Sequence, residues 1–132
     1  MVRSELAAKL EAAAATEADA RAQLVAIGVA YIAFAHEHPA EFEVLFRFTR
    51  SRKRSFTDPQ ASSMDLLRRI ARRAAPDVAA DEIDVACLGM WAAAHGLATL
   101  RMVHLAEIPL DWDAWSRRIL RTQAARFLCP SR

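Results

Sequence analysis

The stretch WAAAHGLATL, residues 91–100, places an indole, an imidazole and a glycine within six positions of an otherwise apolar run. Projected at about 100° per residue, the segment from 81 to 105 reads as one helix with two unlike apolar sides. Gly89, Ala92, Ala93, Gly96, Leu100 and Val103 cluster on the first side. Cys87, Trp91, Ala94, Ala98, Met102 and Leu105 occupy the second, with His95 on the shoulder beside Trp91. Glycine and alanine let another helix axis come close, at a cost of about 1 kcal/mol of helix propensity per Gly. A helix that is apolar on two sides needs two things to pack against. One is the chain's own core. The other is either a second copy of the chain, with the last two helices and Ile119 forming half of a four-helix interface, or the neighbouring helices of a single bundle.

The remaining sequence supports an all-α fold. Only three Gly and five Pro occur in 132 residues, against long Ala-, Leu-, Arg- and Glu-rich tracts that favour helices over the dense turns of a sandwich or barrel. A hydrophobic content of 54% suits one domain, residues 1–132, rather than two. Residues 4–15 have high helix propensity and little apolar bulk. Thr16 with Asp19 resembles a capping box that opens a second helix, closed near His38 by Pro39. On that helix Leu24, Ile27, Gly28, Tyr31, Phe34, Ala35 and His38 share a stripe, while Ala26, Ala30 and Ala33 keep the opposite side small. A short helix follows with Phe42, Leu45 and Phe46 inward, and then a charged loop. The next helix opens at Ser62 or Ser63 and sets Met64, Leu67, Ile70 and Ala71 against Arg68, Arg69, Arg72 and Arg73, until Pro76 ends it. Asp81 and Asp111 are the expected N-caps of the last two helices. The total is a single bundle of five or six helices.

Charge and cysteine content narrow the function. Arg47, Arg50, Arg52, Lys53 and Arg54 supply five of the 18 basic residues, leaving 13 against 16 acidic ones. This excludes a globally basic nucleic-acid surface and leaves one local patch, read by default as solvated. Two cysteines, Cys87 and Cys129, and no secretory leader fit a reduced, cytoplasmic protein better than an exported disulfide scaffold. The longest apolar run, residues 85–100, is interrupted by His95 and falls short of the roughly 20 residues of a membrane span. No membrane partner is expected.

Catalytic and metal signatures are missing. GxSxG, CxxC, the Walker loop and GxGxxG do not occur, and the acidic residues cluster at helix starts, where capping explains them. His36 and His38 are two apart, so on a helix they diverge, and the HExxH spacing is not met. Neither a metal nor a cofactor is expected, and the chain reads as non-enzymatic. Tyr31, Phe34, His38, Phe42, Phe46, Met64, Leu67, Trp91 and His95 combine aromatic bulk with a few polar groups and are candidates to line a ligand pocket. Each taken singly reads first as ordinary core packing, and it is the set together that points to a cavity.

YIAFAHEHPAEFEVLF (31–46), followed some 45 residues later by Trp91, His95 and Gly96, resembles the C-terminal regulatory domain of TetR-type transcriptional repressors, in the subgroup with a Trp...His-Gly signature. The resemblance covers residues 20 to 128. It implies a homodimer joined through the final two helices, and a pocket in each bundle for a small hydrophobic or aromatic effector. It also implies a relay from that pocket to DNA-binding heads. Residues 4–23 are mostly Ala and Glu and offer no recognition helix, so the expectation is a domain lacking the helix-turn-helix, with no sequence-specific DNA binding by this chain alone. The alternative is a headless dimerisation or protein-interaction module with a filled core.

Overall fold

A computed structural model describes residues 2–44, 59–105 and 107–128. Six helices and no strand occur among them: α1 (Val2–Ala15), α2 (Ala20–Glu37), α3 (39–44), α4 (Pro59–Ala74), α5 (Ala80–Thr99) and α6 (Trp112–Leu128). The all-α single bundle expected from the sequence is what the chain forms.

Each helix buries the stripe that its spacing dictates. On α1, Leu6, Leu10 and Ala14 recur every fourth residue and are buried, while Ala8, Ala12 and Ala15 stay exposed. α2 is the centre of the bundle, touching α1, α4, α5 and α6. It accordingly buries Val25 and Ile32 in addition to the Leu24, Ile27, Tyr31 and Phe34 stripe. Gly28 is the closest approach. A Cβ there would stand 2.8 Å from Leu120 Cδ1, so the missing side chain is what lets α6 lie against α2.

α4 turns Leu66, Leu67, Ile70 and Ala71 inward and leaves Arg68, Arg69, Arg72 and Arg73 exposed. It begins at Pro59 rather than at Ser62 or Ser63, which suits the fixed φ of proline in a first turn. On α5, Ile83, Cys87, Met90, Ala94 and Ala98 are buried at helical spacing, and burial pushes the Cys87 thiol up to about 11, so it is un-ionised at neutral pH. α5 then widens into a π turn, Leu100–His104, closed by the Leu105 N–H on the Leu100 carbonyl at 2.7 Å.

The caps show two differences from expectation. Asp19 is itself the N-cap of α2, accepting from the Ala22 N–H at 3.1 Å, while Thr16 Oγ1 donates back to the Ala13 carbonyl and so ends α1. The N-cap of α5 is Ala79, not Asp81. Asp81 and Glu82 lie inside the first turn, where their charge favours the positive end of the dipole without capping it. Asp111 does cap α6, through the Ala114 N–H at 3.3 Å.

Over Ala80–Val103 the fifth helix and its extension are long and apolar enough to cross a membrane by length and composition. In this fold the same helix packs on α2, α4 and α6. Its remaining apolar residues form an outer stripe. Val85, Leu88, Ala92, Leu100 and Val103 are exposed along it, and Trp115 and Ile119 of α6 are likewise exposed, one turn apart.

Candidate functional site

Three helices deliver one cluster. α2 carries Tyr31, α3 carries Phe42 immediately after the Pro39 bend, and α5 carries His95 one turn beyond Trp91. The Tyr31 hydroxyl lies 2.9 Å from His95 Nδ1, a hydrogen bond across 64 residues of sequence. With the imidazole proton on Nε2, Tyr31 is the donor. Phe42 stacks on His95, centroids 5.7 Å apart, and meets Tyr31 edge-on at 5.5 Å, so the polar pair is held by aromatic contacts on its flank.

Burial governs the electrostatics of this pair. It holds the Tyr31 phenol well above its ordinary range, with the hydrogen bond involving Trp91 acting the other way. It also lowers the His95 imidazole below its usual value, favouring the neutral ring at physiological pH. The direction of the His95 shift fixes the sign of a pH effect. The unfolded chain takes up this proton near pH 6.5 and the folded one only at lower pH, so protons favour unfolding in the interval between. Thermal stability is expected to be level above about pH 6.5 as far as His95 is concerned, and to fall as pH drops below it. Denaturation followed from pH 7.5 to 5 should show a shallower decline in His95→Gln than in the parent; parallel curves would remove His95 from the account.

Beside this cluster is a cavity of about 20 Å³, room for about one water molecule. Its wall is nearly all apolar, with Leu24, Ile27, Leu67, Met90 and Ala94 around the polar tips of Tyr31, Ser63 and Trp91. No charged side chain lines it.

The residues nominated from the sequence separate into groups. Tyr31, Leu67 and Trp91 line the cavity; Phe42 and His95 adjoin it through Tyr31. Met64 packs against the core without lining the cavity. Phe34 and His38 belong to a different corner, their rings 5.0 Å apart and the Lys9 ammonium 5.7 Å above Phe34. Phe46, Leu45 and the basic run from Arg47 to Arg54 lie outside the described residues. His36 is exposed while His38 leans on Phe34, so this pair converges on nothing. Sequence reasoning missed Leu10, Leu24, Ile27, Gly28, Ser63, Met90 and Ala94 as lining. Met90 and Ala94 were legible as the near neighbours of Trp91 on its own side of α5, but nothing in the sequence tied Leu10 to them.

The small-residue side of α5 is also divided. Ala92, Leu100, Val103 and Ile119 are on the exposed apolar face, whereas Ala93 packs on the core and Gly89 faces α6 of the same chain, where a Cβ would meet Gln123 Nε2 at 2.8 Å. Gly96 has no such neighbour within 4 Å. Val85, Leu88 and Trp115 extend the exposed face beyond the residues nominated for it.

These features define a class: an all-α domain whose α5 contributes to an aromatic–histidine cluster on one side and carries an exposed apolar stripe on the other. The particular family follows from the sequence comparison. The profile of the tetracyclin repressor-like C-terminal domain matches residues 24–123, and the chain belongs to that family, whose domains are parts of transcriptional regulators. No curated protein matches the chain in sequence.

Proposed function

We propose that this chain is the effector-binding and dimerisation domain of a TetR-like regulator, non-enzymatic and cytoplasmic, and that it forms a homodimer through the exposed face of α5 and α6. The observation that carries the reading is the Tyr31–His95 bond. It ties α2 to α5 at the cavity, and α5 presents its opposite face as the apolar stripe. A molecule that inserts beside Tyr31 therefore acts on the same helix that would mate with a second copy.

The cavity is far smaller than a drug-sized ligand. An effector enters only by parting α2, α4 and α5, and it consequently binds the parted arrangement better than the closed one. That difference in affinity is the quantity able to shift a conformational equilibrium and reach DNA-binding heads. The uncharged wall selects an apolar or aromatic effector with one polar group for Tyr31 or His95. Leu6, Leu10 and Ala14 of residues 2–15 pack into the bundle, which supports the expectation that these residues do not bind DNA sequence-specifically.

The same small cavity supports the alternative of a filled dimerisation module, and thermal shift separates the two. A probe series of indole, 1-naphthol and naphthalene is expected to contain a member that raises Tm. A probe at 100 times its Kd contributes about 2.7 kcal/mol, a rise on the order of 10 °C for a domain of this size. His95→Ala should weaken that response more than it lowers the unliganded Tm. A chain that no member of the series stabilises is a filled bundle.

A further inference from the structure

On α4 and in the turn after α5, Arg68 pairs with Asp84, Arg69 with Glu11 and Arg101 with Asp113, while Arg72 donates to the Val78 carbonyl and Arg73 to the Gln23 side chain. α6 differs. Arg117 and Arg121, one turn apart, have no hydrogen-bond or ion-pair partner among the described residues, and like charges at this spacing repel. Both border a cleft of about 390 Å³ between α6 and the start of α2, with Arg21 on its α2 side and Val25 and Ala124 among its walls. Arg21, which has further interactions within the fold, and the carboxylate of Glu17 thus border the cleft together with the two arginines of α6.

Asp19 already places a carboxylate at the positive end of the α2 dipole, so the positive field of the cleft comes from its arginines and not from the helix terminus. Val25 and Ala124 are buried, so the wall between the arginines is dry hydrocarbon, beside which ionic attraction is less screened than at an open surface. A guanidinium fork matches the two oxygens of a carboxylate or phosphate, while an alanine- and valine-lined wall takes a short alkyl chain. Glu17 on the rim repels a second anionic group nearby, which disfavours a densely charged polymer.

We propose that this cleft binds a small organic anion, a carboxylate or phosphate monoester bearing a short apolar tail, at a site that shares no lining residue with the cavity at Tyr31. Calorimetric titration of the full chain with octanoate, octyl phosphate and acetate, at ionic strength held constant with sodium chloride, tests it. Octanoate is expected to saturate at one site per chain and to bind at least tenfold tighter than acetate. Octyl phosphate is expected to bind the same site. In Arg117→Gln/Arg121→Gln both affinities should fall at least tenfold while the circular dichroism and Tm stay at parent values. Octanoate no tighter than acetate, or octanoate affinity unchanged in the double variant, overturns the assignment. So does a double variant that loses self-association while keeping its affinity for octanoate, because the arginines would then serve a contact between copies.

Discussion

Leu88→Arg combined with Ile119→Arg is expected to abolish the proposed homodimer and leave a folded monomer. Leu88 is 61% and Ile119 45% exposed in the isolated chain, so neither substitution opens a cavity, and surface changes of this kind usually alter stability by about 0.5 kcal/mol or less. Between two copies the effect is large. Each arginine would be taken from water into an apolar contact without a partner charge, a cost of several kcal/mol, and every 1.4 kcal/mol raises a dimer Kd about tenfold. An increase of at least 100-fold is therefore expected by sedimentation at micromolar concentration, with an unchanged helical spectrum. A parent chain that sediments as a monomer would sink the dimer reading, and with it the role given to the outer stripe.

Phe34→Ala should produce the largest loss of stability among single substitutions. Phe34 is 1% exposed, with the His38 ring beside it and the Lys9 ammonium over its face, and truncating such a ring removes both transfer energy and packing, about 3–5 kcal/mol. A domain of this kind has a total of roughly 5–15 kcal/mol, so the urea midpoint should drop by about a fifth or more. Phe34 nevertheless stands apart from the cavity at Tyr31, so probe affinity extrapolated to the folded fraction should change little. A loss below about 1 kcal/mol, or a selective loss of probe binding, would move Phe34 from core to site.

Much of the architecture was legible because it is local. The burial of Leu67, Ile70 and Ala71 opposite four arginines follows from a 3.6-residue period, and the ends of helices at His38 and near Pro76 follow from proline chemistry. Asp111 caps as expected because its side chain needs only a backbone N–H three residues on. Asp81 does not, since the chain can enter α5 two residues earlier with Ala79 extended, and several acidic residues in a row offer no unique start. The site was half legible. Tyr31, Trp91 and His95 stand out by residue type, but type alone cannot separate Phe42, which joins them, from Phe34, which does not.

The glycines mark the boundary between the two kinds of information. By itself the sequence determined that α5 has two apolar sides, that the chain is an all-α bundle and that its family is the tetracyclin repressor-like one, because periodicity and motif spacing are properties of a single strand of text. Only the tertiary structure decided that Gly28 is the close contact under Leu120, that Gly89 meets the chain's own α6, and that Tyr31 reaches His95 across 64 residues. A helical period specifies the direction in which a side chain leaves its axis, whereas the neighbour it finds there depends on how several helices fill one volume together.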